Sequence, residues 1–97
     1  MQFIWDLQKS QATLERRGFD FTFATLVFDG WVLERDDKRT DYGERRVLAV
    51  GISHGLHLTV VYTDRLGTDG VMRRIISARA SSPRERRDYD QAVEEKT

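Results

Sequence analysis

The side chains best suited to chemistry in this sequence are arginines. Thirteen of the sixteen basic residues are Arg, and six of these fall between Arg73 and Arg87. A guanidinium is a planar fork that binds two oxygens of a phosphate or carboxylate together, and it tolerates partial burial better than an ammonium. The sixteen acidic residues cancel the basic ones, which argues against a protein held on nucleic acid by bulk charge alone. The sequence therefore indicates local anion binding within a neutral chain.

A predicted strand over residues 71–79 carries part of this arginine cluster. Strict alternation places four side chains on one face, with Arg74 on the other: Arg73, Ile75, Ser77 and Arg79. Two arginines and a hydroxyl on a shared face would form a cradle for phosphate. The alternative is that Arg73 and Arg79 sit at the strand ends and point into water or pair with a nearby acid: Glu44, Glu85 or Asp88.

Two helical segments could add further anion contacts. Lys9 and Arg16 are seven residues apart on the first predicted helix, and Arg17 lies close to the same face. Arg86 and Tyr89 combine charge with an aromatic ring in the last predicted helix, a pairing that suits phosphate contact and base stacking. The alternatives are a solvated helix face for the basic residues and simple packing for Tyr89.

Other kinds of site are disfavoured by composition. Cysteine is absent, which excludes disulfides and thiolate chemistry. His54 and His57 flank a glycine-containing turn without a third ligand in the pattern, so we expect no metal and no cofactor. No apolar run approaches the roughly 20 residues of a membrane-spanning helix, and the first ten residues do not resemble a signal peptide. We expect a cytoplasmic protein that does not contact a membrane.

The elements that must position these residues form one predicted domain over residues 1–97. Asp6 caps a helix that Gly18 ends, with Leu7, Gln11 and Leu14 on one face, and a second helix covers residues 19–29 with Asp20 as its cap. Strands are predicted over residues 31–35, 45–53, 58–64 and 71–79, the last three as antiparallel neighbours. Ser82, Pro83 and Glu85 form a capping box that starts a third helix, which runs to about Val93. The order α-α-β-β-β-β-α with an antiparallel sheet describes an α+β domain.

Several short strings, in this order and spacing, resemble the BrnT toxin family across nearly the whole chain. They are FIWD at 3–6, VFDG at 27–30, GER at 43–45, VVYTDR at 60–65, and RRIISARAS at 73–81 followed by RERRDY at 84–89. The resemblance implies a RelE-like fold and a type II ribonuclease toxin that arrests growth by cutting RNA. It also implies a BrnA-type antitoxin with a ribbon-helix-helix fold. The two would form a hetero-oligomer that reaches operator DNA only through the antitoxin.

RNA cleavage without a metal needs a base, an acid and cations that stabilise the charged transition state. Arg79, Arg46, Lys9 and Arg17 are the predicted phosphate-binding catalytic residues, with the family context favouring Arg46. Tyr62 is the predicted proton-handling residue, the alternative being a tyrosine packed in the core. Further RNA contacts are assigned to Arg16, Arg73, Arg86 and Tyr89. Trp5 and Trp31 are core residues or contacts for the antitoxin.

The sequence departs from the family pattern in the first helix. Thr13 stands where the family usually has asparagine, and Arg16-Arg17-Gly18 replaces the usual Lys-His-Gly. The missing histidine is the side chain whose ordinary pKa best suits proton transfer near neutral pH. The alternative function is therefore a catalytically decayed, toxin-like subunit that binds antitoxin and represses its operon.

Overall fold

The structure, a computed structural model, describes all residues from 1 to 97. The helices are α1 (Leu7–Arg17), α2 (Phe21–Thr25), which continues as a 3-10 turn (Leu26–Asp29), and α3 (Pro83–Lys96). The strands are β1 (Gln2–Trp5), β2 (Leu33–Asp36), β3 (Val47–Ser53), β4 (Leu56–Gly67) and β5 (Gly70–Ala80). The predicted α+β class is confirmed, and the predicted order holds with one strand added at the start.

A single five-stranded sheet organises the chain, in the spatial order β1-β5-β4-β3-β2. The predicted antiparallel arrangement of β3, β4 and β5 is confirmed, and β2 pairs antiparallel with β3. His54 and Gly55 join β3 to β4 with φ angles of 48° and 80°. Two consecutive left-handed residues are what a two-residue type I′ hairpin requires.

The core lies between the sheet and α2 with its 3-10 extension, on a surface called here the α2 face. Phe21, Ala24 and Val27 from this segment are at most 1% exposed. They pack against Val47, Ala49, Leu58, Val60, Tyr62, Ile75 and Ala78 of the sheet. A Cβ at Gly51 would lie 2.8 Å from Cβ of Val27, so only glycine allows this approach.

Helix α3 covers part of the opposite surface, called here the α3 face, and its predicted start is confirmed. The Ser82 hydroxyl accepts a hydrogen bond from the Glu85 backbone, and the Glu85 carboxylate accepts one from the Ser82 backbone. Pro83 fits at the first helical position because its missing N–H would have had no helical partner. The helix runs to Lys96, three residues beyond its predicted end.

A β-bulge in β5 overturns the predicted shared face of Arg73 and Arg79. Val61 pairs with Ser77 but Tyr62 pairs with Ile75, so Ile76 has no residue opposite it. The extra residue reverses the alternation of side chains. Arg73 therefore lies on the α2 face with Ile75, whereas Arg79 lies on the α3 face with Ser77 and Arg74.

Two other expectations about packing were wrong. The predicted apolar face of the first helix is exposed, with Leu7 at 78% and Leu14 at 39%, while Ser10 and Thr13 are buried. Ser10 is tied to α2 because its hydroxyl accepts from the Phe21 backbone, and the buried Thr13 hydroxyl is satisfied by the Lys9 carbonyl of its own helix. The single predicted helix over residues 19–29 is instead α2 followed by the tighter 3-10 turn.

The strand bounds also differ from the prediction. Strand β1 was not predicted, and it pairs in parallel with the distant β5. Strands β4 and β5 form a longer hairpin than expected, and β2 begins two residues later. None of the helices combines the length and the apolar character needed to cross a membrane.

Candidate functional site

One cleft gathers basic side chains from four separate parts of the chain. Its volume is about 260 Å³, and it opens where α1 begins, beside the loop 37–46 and the strands β4 and β5. The cavity, called here the basic cleft, is lined by nine residues: Asp6, Lys9, Tyr42, Glu44, Arg46, Arg65, Arg74, Ile75 and Ile76. Four cations and two carboxylates, Asp6 and Glu44, thus line the space.

The strands and α1 position three of these cations. The Asp6 carboxylate caps α1 by accepting from the backbones of Gln8 and Lys9, at 2.8 and 3.2 Å, which fixes Lys9 in the first turn. Arg74 pairs with Thr63 across the β4–β5 hairpin. Arg65 follows Thr63 by two residues and so projects from the same face of the sheet.

A buried carboxylate anchors the loop that supplies the rest of the cleft. Both oxygens of Asp37 accept from the Arg39 guanidinium at 2.8 Å, and the Asp37 side chain is fully buried. This pairing lowers the pKa of Asp37 to about 2. The Asp37 backbone also donates to the Arg46 carbonyl, and the Tyr42 hydroxyl donates to the Asp37 carboxylate at 3.4 Å. Tyr42 and Arg46 are therefore held by the same anchor.

Charge inside the basic cleft is only partly neutralised. Glu44 accepts from Nε of Arg46 at 3.2 Å and from Nη2 of Arg65 at 3.3 Å. The Arg46 guanidinium lies 3.9 Å from the centre of the Tyr42 ring. Lys9 and Arg74 form no salt bridge. The cleft therefore keeps a positive excess that can bind a phosphodiester.

The cleft unites two of the five residues predicted as catalytic, Lys9 and Arg46. It adds Arg74, which the sequence left on the face opposite the predicted phosphate cradle. Tyr42 and Arg65 were missed. A lone aromatic residue in the otherwise charged loop DDKRTDYGE was the available signal for Tyr42. Arg65 could have been predicted as a site residue only if β4 had been known to continue past Asp64.

Arg79 lies outside the cleft and is bound to Glu85, the partner that the alternative interpretation included. Its two terminal nitrogens donate to the two Glu85 oxygens at 2.6 and 2.9 Å. The Glu85 side chain is 9% exposed, and the guanidinium beside it lowers its pKa to about 2. The carboxylate that completes the capping box thus also binds Arg79.

Arg73 and Tyr62 belong to a separate cluster on the α2 face. The Arg73 guanidinium binds both oxygens of Asp64, at 2.8 and 3.0 Å, and lies 3.9 Å from the centre of the Tyr62 ring. The Tyr62 hydroxyl donates to Glu34. Burial and this hydrogen bond raise the pKa of Tyr62, so the hydroxyl stays protonated and cannot serve as a base at neutral pH.

Arg17, which was predicted to be catalytic, and the remaining predicted RNA contacts lie on the two longer helices. Arg16 and Arg17 are exposed in the last turn of α1, where their positive charge interacts favourably with the negative end of the helix dipole. Arg86 is exposed on α3. Tyr89 is 7% exposed, its hydroxyl donates to the Trp31 carbonyl at 3.0 Å, and burial raises its pKa. Tyr89 therefore packs, as the alternative interpretation held.

The two histidines and the two tryptophans also contact other side chains of the protein. His54 stacks on Phe23, and Nε2 of His57 lies 2.9 Å from the Asp90 carboxylate. Trp5 packs edge-on against Phe21, whereas Trp31 is 36% exposed beside Tyr89. No group of three or more His, Cys, Asp or Glu residues converges at metal-binding distance.

The low pKa of Glu85 predicts acid sensitivity. A carboxyl whose pKa is lower in the folded state stabilises the fold above its ordinary value of 4.5 and loses that contribution as pH falls toward 2. Glu85→Gln, which preserves the capping box, should remove on the order of 2 kcal/mol at pH 7 and much less at pH 2. Urea unfolding at both pH values measures the difference, with the exposed Glu94→Gln as control. A loss of equal size at both pH values would contradict this account.

Comparison with known proteins adds an independent finding. A family model described as a ribonuclease toxin, BrnT, of type II toxin-antitoxin systems matches residues 5–85. The match includes every residue of the basic cleft and ends before Arg86 and Tyr89. No curated protein matches the chain. Because the family model covers most of its length, the chain belongs to the BrnT family of type II ribonuclease toxins.

Proposed function

We propose that this toxin cleaves single-stranded RNA in the basic cleft without a metal ion. The observation that carries the proposal is the convergence of Lys9, Arg46, Arg65 and Arg74 on one space, with Lys9 and Arg74 free of ion pairs. Family membership supports a ribonuclease. The cleft supplies the positive charge that such a reaction must place around the phosphate.

The chemistry follows from the groups available. The ribose 2′-oxygen attacks phosphorus and releases its proton to water, and the bond from phosphorus to the 5′-oxygen breaks. Arg46 and Arg74 stabilise the charge that develops on the phosphate oxygens. Lys9, a cation with protons to donate, protonates the departing 5′-oxygen. The products are a 2′,3′-cyclic phosphate and a 5′-hydroxyl.

The other predicted residues have different roles in this proposal. Arg79, Tyr62 and Arg73 maintain the fold through their ion pairs and hydrogen bonds. Arg16, Arg17 and Arg86 are exposed and extend the contact with RNA beyond the cleft. Tyr42 adds an aromatic ring beside Arg46 on which an unpaired base can stack, which favours single strands as the substrate.

The partner of a type II toxin is a protein antitoxin. We propose a BrnA-type antitoxin with a ribbon-helix-helix fold, which would carry the complex to operator DNA. The RelE-like classification and a cytoplasmic location belong to the same proposal. The family membership and the sequence resemblance support these assignments.

Incubation of the purified chain with single-stranded RNA in excess EDTA tests the proposal. We expect fragments ending in a cyclic phosphate, and growth arrest when the chain is expressed alone. A folded protein that leaves RNA intact with and without divalent ions would contradict the proposal and support the decayed, antitoxin-binding alternative. Cleavage that requires the added ions would contradict metal independence alone.

A further inference from the structure

Glu44 occupies an unusual position for an acid in a cleft that binds anions. One of its carboxylate oxygens accepts from Arg46 and the other from Arg65, at 3.2 and 3.3 Å. The two arginines come from neighbouring strands, one immediately before β3 and the other within β4. The carboxylate thus bridges two guanidinium groups as a phosphate would.

The bridge is weaker than the two bidentate pairs that hold buried carboxylates, Asp37–Arg39 and Arg79–Glu85. The side chains of Glu44, Arg46 and Arg65 are 29%, 26% and 49% exposed, and each guanidinium contributes a single contact. The Asp37–Arg39 and Arg79–Glu85 pairs are each bidentate, at 2.6–2.9 Å, around carboxylates that are 0% and 9% exposed. Partly solvated single contacts contribute little stability, so solvent or another anion can replace them.

From this geometry we infer that Glu44 is an internal stand-in for substrate, holding the place that an RNA phosphate takes between Arg46 and Arg65. A phosphodiester carries the same single negative charge and two free oxygens, so it satisfies both arginines as Glu44 does. Glu44 then rotates about its side-chain bonds into solvent. The inference rests on the proposed function and adds Arg65 to Arg46 and Arg74 as a cation that binds the phosphate.

Two consequences follow for the free toxin. Glu44 keeps the two guanidiniums close together before RNA arrives, which reduces the ordering that binding requires. It also competes with RNA, since each binding event must break both of its ion pairs. Removing its charge should therefore raise affinity, and the gain should depend on the arginines that it bridges.

Affinity for a 2′-O-methyl RNA oligonucleotide, which lacks the attacking hydroxyl, measures this competition. Glu44→Gln should bind about tenfold more tightly than the wild type, since one unit charge within contact distance is removed. Glu15→Gln, an exposed acid on α1 that contacts only Gln11, should change affinity less than twofold. Unchanged or weaker binding by Glu44→Gln would overturn the inference.

A double-mutant cycle separates a shared phosphate position from a general effect of charge. In an Arg65→Ala background the gain from Glu44→Gln should fall to less than half, because one of the two bridged arginines is gone. A gain that persists in full would show that Glu44 acts only through the overall charge of the cleft, and would also overturn the inference.

Titration with inorganic phosphate distinguishes this inference from the proposed function. Stronger phosphate binding by Glu44→Gln, without RNA binding by either protein, would retain the anion position and reject the ribonuclease proposal. RNA cleavage by the wild type, with no gain in RNA or phosphate binding by Glu44→Gln, would reject the stand-in role and retain the ribonuclease. No binding of either ligand by either protein would reject both.

Discussion

Arg46→Ala is expected to lower the rate of RNA cleavage by about a hundredfold or more, the usual effect of removing one donor that stabilises transition-state charge. Arg46 is the cation that connects the cleft most closely to its supporting loop. It binds Glu44, covers the Tyr42 ring, and its carbonyl accepts from the anchored Asp37 backbone. Single-turnover cleavage of a short RNA measures the rate, and suppression of growth arrest provides a second readout.

Two controls define this result. Arg84→Ala removes an exposed arginine of α3 that forms no ion pair, and it should cleave at close to the wild-type rate. Arg46→Lys keeps the charge but loses the planar fork, so its rate should lie between those of the wild type and the alanine variant. If Arg46→Ala retains its native circular dichroism spectrum and cleaves as fast as the wild type, the basic cleft is not the catalytic site.

Arg79→Ala is expected to destabilise the fold by about 3 kcal/mol, since it leaves a nearly buried carboxylate without its main partner. The affected group is Glu85, which holds Arg79 through two short hydrogen bonds and also caps α3. For a domain of this size the loss is a large fraction of the total stability. The midpoint of urea unfolding measures it.

A compensating variant tests the cause of that loss. Arg79→Met with Glu85→Gln removes both charges while keeping the capping box, so it should recover most of the stability that Arg79→Ala loses. RNA cleavage by the double variant should remain within a fewfold of the wild type, because neither residue lines the cleft. A stable but inactive double variant would instead place Arg79 in the catalytic machinery, as the sequence predicted.

Local signals predicted much of the fold. Asp6, Gly18, Ser82 and Pro83 mark helix ends through interactions within one or two turns, and each marks the end that the structure shows. The His54-Gly55 turn is equally local. These features could be predicted because their physics involves only neighbouring residues.

The missed features depend on contacts between distant segments. Strand β1 forms only because β5, some seventy residues away, offers a parallel edge. The bulge at Ile76 had no local signal, because residues 71–76 read VMRRII and do not alternate between polar and apolar side chains. That one extra residue separates Arg73 from Arg79, so a local irregularity changed the prediction for the whole site.

The site was therefore predicted in part. Lys9 and Arg46 were identified as cations suited to phosphate, but no local pattern could bring the start of α1 beside the end of a loop more than thirty residues later. Tyr42 lies in the site because its hydroxyl contacts the buried Asp37 carboxylate, and this contact depends on the tertiary structure. The packing of acidic side chains decides whether an arginine is paired. Arg79 is paired because Glu85 packs beside it, whereas Arg74 forms no salt bridge.

The central claim, that the basic cleft binds the RNA phosphate, is tested most directly by NMR of the arginine side chains during titration with a 2′-O-methyl RNA oligonucleotide. The account predicts the largest shifts in the Nε–Hε signals of Arg46, Arg65 and Arg74, with little change at Arg73 and Arg79. Shifts confined to the arginines of α3, with the cleft signals unmoved, would contradict it.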